Sequence, residues 1–417
     1  MLTLACIVLV SLLTGLCEDQ FCSIDDADSC EENAQADEHK SLYTKATNER
    51  YRKYLVAIQE AEENYEECNN TRNECFKDVI KRDLRPFRKD GIDKKLIELT
   101  KTSLNNRGTY YQIIGNRLYR EKNCMFPARC AGIEHFLLKI LDALPDMDLI
   151  INTGDVPQSR NYDHSSLLRM PVFSFSKTAH EYYDIMYPAW TFWEGGPAIS
   201  LYPRGLGRWD QHRKSLNKAS SDTPWEKKET KAFFRGSRTS RERDNLILLS
   251  RDKPHLADAQ YTKNQAWKSM ADTLNATPAT EVSLESHCKY KYLFNFRGVA
   301  ASFRHKHLFL CRSLVFHVGD DWAEFYYYAM KPWIHYVPVP TNADREELED
   351  LIEFAKNNDD LARKIANRGR DFIWKNLRMS DVTYYWKQLL KSYAKILTYK
   401  PVLKEDFMEI SKKDGRK

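Results

Sequence analysis

Two spacings of apolar residues alternate along most of the chain. Tyr290 to Phe296 is aromatic and partly alternating, which predicts a strand. From Val299 the spacing becomes helical, with Ala300, Phe303, His307, Leu308 and Cys311 on one face, and Gly298 permits the turn between the two. The change recurs downstream of Lys231: strand 231–235, helix 241–251, strand 257–261, strand 290–296, helix 300–311, strand 313–318. Upstream, Ala131 to Leu144 predicts a helix with Ile133, Phe136, Leu137, Ile140 and Leu141 on one face. Leu149–Ile151 and Pro171–Phe175 predict short buried strands, and Tyr110–Ile114 with Asn116–Tyr119 a hairpin around Gly115. Residues 39–66 set Tyr43, Tyr51, Leu55 and Ile58 on one face of an amphipathic helix, and a short helix follows from Ile92 to Thr100. Asp344 and Glu347 form a capping pair for a helix to Asn357, followed by helices Leu361–Leu377 and Ser380–Leu397. Strands alternating with helices imply parallel sheets covered on both faces. No Gly-, Ser- or Pro-rich linker separates the halves, so they are expected to pack closely around a cleft. The predicted class is α/β: two facing, Rossmann-like, doubly wound domains with C-terminal helices.

Length and charge narrow the picture. A chain of 417 residues and 49.0 kDa can bury two cores. A net charge of +5 gives no sign of a polyanion-wrapping protein, so nucleic acid is not an expected partner. Leu2 to Leu16 is apolar but too short to span a bilayer, and Gly15 and Cys17 are small residues at cleavage positions; 1–17 is expected to be a secretory leader. Residues 18–38 form an acidic arm poor in large apolar side chains. No other run approaches a membrane helix in length. Of ten cysteines, Cys6 and Cys17 go with the leader; the remaining eight, in an oxidising compartment, predict disulfides whose pairing the spacing leaves open. They lack the paired short spacings of a zinc site. Asn69-Asn70-Thr71 and Asn275-Ala276-Thr277 are acceptor sequences for N-glycosylation, or plain surface loops. The abundant Trp and Tyr suit both core packing and sugar stacking.

Candidate chemistry gathers after strands. A helix opening at 299–302 offers unpaired N–H groups, and Arg297, Arg304, His305 and Lys306 add cationic donors. This is a diphosphate cradle needing no metal, or a strand–helix unit with a solvated basic face. Asp155 follows Ile150-Ile151-Asn152-Thr153-Gly154, just past a strand's carboxyl end, as a general base or a turn aspartate. Asp146-Met147-Asp148 has the Asp-x-Asp form used by metal-dependent transferases, but it precedes the Leu149–Ile151 strand and is expected to be a loop. No metal or other cofactor is expected.

Three stretches carry a family resemblance: Cys288 to Cys311, Phe234-Arg235-Gly236-Ser237-Arg238-Thr239-Ser240, and Trp190-Thr191-Phe192-Trp193-Glu194-Gly195-Gly196. Together they resemble the protein O-glucosyltransferases of the Rumi type, which act on EGF-like repeats, and the likeness runs from about Tyr65 to about Leu397. The resemblance implies a GT-B fold with an acceptor-side domain at 39–195, a nucleotide-sugar domain at 196–378, and a helix and tail at 379–417. It implies Asp155 as catalytic base, with Tyr202, Ser237, Arg243, Val299, Ala300, Ala301, Ser302, Phe303 and Arg304 on the donor, UDP-glucose. On the acceptor, a folded EGF-like repeat of the Notch type, it implies Met125, Phe126, Pro127, Ala128, Arg129, Pro197, Ala198, Tyr202 and Gln265. It also implies disulfides Cys68–Cys75, Cys124–Cys130 and Cys288–Cys311, leaving Cys22 and Cys30, and residence in the lumen of the endoplasmic reticulum. The chain departs from the family at Thr153-Gly154-Asp155-Val156, which replaces a bulkier run. No cysteine follows Cys311, and the chain ends in Asp414-Gly415-Arg416-Lys417 where a KDEL-like tetrapeptide is common. Two rivals stand beside glucosyl transfer: the same reaction with UDP-xylose, and a lumenal chaperone that binds EGF-like repeats without turnover.

Overall fold

The computed structural model describes residues 49–68, 74–161, 169–196, 201–202, 205–264 and 267–411. The leader, the acidic arm, Asn69, Pro197, Ala198, Gln265 and the last residues from 412 lie outside them. The chain divides into two units, Met1–Val56 and Ala57–Lys417. Of the first, 49–56 are described and carry the start of the helix Arg52–Glu63. The elements that follow belong to the second.

One sheet is mixed. Strands β1 (Thr109–Ile114) and β2 (Arg117–Arg120) form a hairpin whose turn residues, Gly115 and Asn116, both have positive φ. A two-residue turn of that hand matches strand twist, and it can join only antiparallel neighbours. On its other side β1 pairs antiparallel with β3 (Met147–Ile151), which then runs parallel to β4 (Val172–Ser174), and β4 parallel to β6 (Ile185–Met186). A strand from near the chain's end, β13 (Met408–Ile410), adds antiparallel to β2. The expectation of two doubly wound parallel sheets is therefore corrected for this half. The hairpin leaves no crossover helix between β1 and β2, so only β3, β4 and β6 are wound in parallel.

The other sheet fits the expectation. Strands β7 (Glu229–Gly236), β8 (Ala257–Tyr261), β9 (Tyr290–Asn295), β10 (Leu314–Val318) and β12 (Val337–Val339) are all parallel, in the order β12-β10-β9-β7-β8. Strand β10 is buried throughout, as a strand covered on both faces must be. The order reverses between β7 and β9, and the crevice beyond their carboxyl ends is where such sheets take ligands. A small antiparallel ribbon pairs β5 (Ser176–Thr178) with β11 (Trp322–Glu324).

Several boundaries differ from the pattern-based expectation. The helix expected at 300–311 is His305–Phe309 only. Its first turn is lost because the Ala300 carbonyl accepts from Gly298 N, and Ala301 N donates to Ser176 Oγ. The helix expected from Ala131 begins at Pro127 and runs to Ile140, with Pro in its first turn, where a missing N–H costs nothing. Met147 and Asp148 belong to β3 rather than to a loop. The helices Lys77–Leu84 and Trp209–Asp222 have no counterpart in the sequence reading. The helix Met379–Ala394 packs on the mixed sheet: Tyr385 OH donates to the Met186 carbonyl and Tyr393 OH to that of Asp148, both at 3.1 Å.

Candidate active site

Asp155 sits in the loop leaving β3, and that loop is held by its own first residue. Asn152 Nδ2 donates to the Val156 carbonyl at 2.9 Å and to Ser174 Oγ at 3.0 Å, and its Oδ1 accepts from Gly154 N at 2.8 Å. Tyr187 OH donates to the Asn152 carbonyl at 2.9 Å. The carboxylate so presented keeps 38% of its side-chain exposure. Arg129 reaches it: Nη1 donates to the Thr153 carbonyl at 2.7 Å and to Asp155 Oδ1 at 3.0 Å. The same guanidinium lies 4.2 Å from the Phe126 ring centroid and 4.5 Å from that of Trp190. Arg129 stands in the first turn of Pro127–Ile140, where the Cys124–Cys130 disulfide ties the preceding loop to the helix. Pro127 and Ala128 share that turn, and Met125 and Phe126 project outward, 50% and 38% exposed. Gly132 lets the helix touch the Trp190 turn, since a Cβ there would meet the Trp190 and Glu194 carbonyls below 3.0 Å.

A second cluster lies at the reversal point of the parallel sheet. Arg243 is buried, and its Nη1 donates to the Ser237 carbonyl while Nη2 donates to that of Arg297. It thus joins the loop after β7 to the loop after β9. Arg304 Nη1 donates to the Arg235 carbonyl, and its guanidinium lies 5.3 Å from the Phe234 ring centroid. Burial pushes Arg243 down to about 9, helped by the nearby Arg304 charge, and Arg304 down to about 10. Among the described residues neither has a carboxylate partner, and Arg243 Nε is buried without a hydrogen bond. Arg297, by contrast, pairs with Glu242 at 2.7 Å. A buried and a half-buried guanidinium, neither paired directly with a carboxylate, make the crevice attractive to an anion.

The loop 299–304 shapes the rest. Val299 is 50% exposed, whereas Ala300, Ala301 and Ser302 are buried. The amides of Val299, Ala300 and Phe303 find no acceptor among the described residues. They replace the helix start expected there as candidate donors to an anion. Phe303 stacks on Phe175 with centroids 4.9 Å apart and meets Trp190 at 5.6 Å, so the loop touches the ring that supports Arg129. Ser237 is half-buried, its Oγ 3.2 Å from Thr239 Oγ1. A narrow pocket beyond β9 and β10 is lined by Asn295, Ser302, His317, Gly319, Trp322 and Tyr327. Tyr202 OH accepts from Leu284 N at 3.0 Å and faces Glu285 Oε2 at 3.5 Å, and its ring meets that of His212 at 5.4 Å.

The Asp-x-Asp carboxylates are engaged. Asp148 accepts from Gln112 Nε2 at 2.8 Å and Tyr399 OH at 2.6 Å, and Asp146 from Gly115 N at 2.8 Å. Among the described residues no three His, Cys, Asp or Glu side chains are grouped to hold a metal. Disulfides Cys68–Cys75, Cys124–Cys130 and Cys288–Cys311 are all present. Asn275 is exposed on a turn with φ +58.

A family model described as "Glycosyl transferase family 90" matches residues 68–416. The chain belongs to glycosyl transferase family 90. Similar proteins span its length. The "O-glucosyltransferase rumi homolog" of Anopheles gambiae is 60% identical over 372 residues, 89% of this chain and 90% of that protein. The "O-glucosyltransferase rumi" of Drosophila melanogaster is 54% identical over 400 residues, 94% of each. Human "Protein O-glucosyltransferase 1" is 54% identical over 368 residues, 88% of this chain and 91% of that protein. Among solved structures, Anabaena HepE in complex with UDP-glucose is 10% identical with a TM-score of 0.32, covering 44% of this chain and 53% of that one, a likeness too slight to bear on the fold. The family 90 chain also uses residues the sequence reading passed over: Trp190 as the floor under Arg129, and Asn152 as the brace of the Asp155 loop. The Arg129–Trp190 contact has no local signal, because tertiary packing alone brings it together, whereas Asn152 accepting from Gly154 N two residues on is an Asx-type turn that the Asn-Thr-Gly run makes legible.

Proposed function

We propose that this glycosyltransferase moves glucose from UDP-glucose to a serine hydroxyl in a folded EGF-like repeat, with inversion at the anomeric carbon. The observation that carries the reading is Asp155, an accessible carboxylate past the end of β3, fixed by Arg129 at 3.0 Å. Serine is a poor nucleophile until a positioned base takes its proton. Asp155 accepts that proton as serine Oγ bonds to the anomeric carbon and the bond to UDP breaks. One displacement turns an α donor into a β product. Arg243, Arg304 and the amides of 299–303 suit the charge growing on the leaving diphosphate. The exposed Met125 and Phe126, on a stiff disulfide loop beside Asp155, suit the acceptor. The two sheets would then face each other as GT-B domains across the nucleotide-sugar. The identity to proteins named O-glucosyltransferase supports the transferred sugar. Three disulfides fit work in an oxidising lumen, and we place the enzyme in the endoplasmic reticulum.

Incubating the protein with a folded EGF-like repeat and UDP-glucose adds one hexose to the repeat by mass spectrometry, and EDTA leaves the rate unchanged. UDP-xylose belongs in the same panel, because a single hydroxymethyl is discriminated by only ~1–3 kcal/mol. Asp155→Asn lowers transfer by about two to four orders of magnitude while UDP still binds. No transfer from either sugar, or full transfer by Asp155→Asn, overturns the reading.

A further inference from the structure

Two buried ionisable side chains near the 299–304 loop have no part in the mechanism above. Lys306 and Glu324 are both fully buried. Neither carboxylate oxygen of Glu324 finds a hydrogen-bond partner. As a stabilising ion pair this is a poor arrangement. A buried pair recovers its desolvation cost only when its remaining lone pairs are hydrogen-bonded. What the Lys306 ammonium touches is backbone and hydroxyl instead. Nζ donates to the Phe303 carbonyl at 3.1 Å and to Thr191 Oγ1 at 3.3 Å, and it lies 4.7 Å from the Phe192 ring centroid. It therefore fastens the end of the loop to the Trp190–Phe192 turn, the same turn that carries Trp190 under Arg129.

Lys306 acts with two neighbours. Ala301 N donates to Ser176 Oγ at 3.3 Å, and Tyr327 OH donates to the Ser302 carbonyl at 3.3 Å. Three successive residues, 301 to 303, thus each have one backbone group held from the protein side. Because a peptide unit is planar, the tie at the Ser302 carbonyl sets the direction of the Phe303 amide and the tie at the Phe303 carbonyl sets that of Arg304, so the peptide units on both sides of Phe303 are held. The Phe303 carbonyl also meets His307 Nδ1 at 3.1 Å, but of these ties only the one from Lys306 can be charge-assisted, and a charge-assisted hydrogen bond is roughly twice as strong as a neutral one. Glu324 stands on β11 opposite Ser176 of β5, on the ribbon that holds Ala301. Burial holds the Lys306 ammonium below its ordinary value, and the Glu324 carboxylate opposes that shift only in part.

We propose that Lys306 is a positioning residue for the donor loop: its ammonium clamps Phe303 to Thr191 so that the loop amides face the diphosphate, and Glu324 supplies the buried counter-charge. This rests on reading 299–304 as the donor loop. The test compares the wild type, Lys306→Met, Glu324→Gln and the double variant Lys306→Met/Glu324→Leu. UDP affinity is measured by calorimetry, transfer to a folded EGF-like repeat by steady-state kinetics, and Tm by calorimetric unfolding. Each single variant lowers Tm, because it strands a buried charge or dipole. The double variant regains Tm, yet binds UDP about ten-fold or more weakly and loses kcat/KM in proportion. Thr191→Val, which removes one acceptor without touching charge or volume, raises the Kd for UDP a few-fold at near-constant Tm; it keeps the test decisive if the double variant does not fold. Wild-type UDP affinity in a folded double variant, or in Thr191→Val, overturns the role of Lys306 alone. A wild type that binds no UDP overturns the donor-loop reading and this role with it.

Discussion

Asp155 takes its orientation from Arg129 rather than from the strand that precedes it. Thr153 and Gly154 are small, and neither side chain fixes the carboxylate. Arg129 does, donating to the Thr153 carbonyl and to Asp155 Oδ1 from one nitrogen while its guanidinium lies over the Phe126 and Trp190 rings, 4.2 and 4.5 Å from their centroids. A lysine could reproduce one bond but neither the contact with both rings nor the shared geometry. Misplacing a reacting group by an ångström costs around two orders of magnitude in rate. Arg129→Lys is therefore expected to lower kcat by roughly ten-fold, and Arg129→Ala by roughly a hundred-fold, with the Kd for UDP unchanged in both. Steady-state kinetics on a folded EGF-like repeat, with UDP calorimetry alongside, checks both numbers. A change confined to KM would make Arg129 an acceptor contact and nothing more.

At the scale of elements, the site depends on how closely the helix Pro127–Ile140 approaches the Trp190–Phe192 turn, and Gly132 sets that distance. The atoms a new Cβ would meet are mostly backbone, the Glu194 carbonyl at 2.7 Å and the Trp190 carbonyl at 2.8 Å, so no side chain can swing away. Gly132→Ala is expected to cost about 1–3 kcal/mol of stability, the usual range for overpacking, and to reduce transfer further by tilting Arg129 away from Asp155. Thermal unfolding and transfer rates measure the two effects. An alanine variant with unchanged Tm would mean that the helix can slide. This contact was invisible in the sequence, although the elements it joins were not. Apolar spacing found the helix through Ile133, Phe136 and Leu137 and found the buried β3 strand, because those residues face one core. It misjudged starts and stops where tertiary bonds outcompete local ones. The 299–304 segment has helical spacing but commits one amide to Ser176 and two carbonyls to Tyr327 and Lys306. Pro127 was a legible helix start that apolar periodicity alone passed over. Strands of two or three residues, such as β6, β11 and β13, are too short to show a period at all.

For the whole molecule, what the sequence conceals most is the number of titratable groups it buries. His287, His305, His307, His317 and His335 are scattered through the later half of the chain, yet all five are at most 8% exposed. Burial holds each as the neutral ring: His287 is pushed down to about 3, His317 and His335 to about 4, and His305 and His307 well below their ordinary value. Below about pH 6.5 the unfolded chain takes up protons at these rings that the folded chain refuses. Stability then falls with falling pH, by up to ~1.4 kcal/mol per pH unit for each ring, until the folded values near pH 4 are reached. Glu324 works in the opposite sense. Burial raises its carboxyl to about 7 against the pull of Lys306, so between its ordinary 4.5 and about 7 the folded state holds the extra proton. Glu324, with Asp184 whose carboxyl burial also raises, favours folding as the solution is acidified, and these five histidines, joined by His135 and His212, oppose it. The Tm is accordingly expected to drop continuously from about pH 7 to about pH 5, and to drop more steeply in Glu324→Gln, where one opposing contribution is gone. Calorimetric unfolding at several pH values tests this directly. A Tm that is flat or rising on acidification would mean that these rings are charged in the folded protein, and that the packing around the donor loop differs from the arrangement described above.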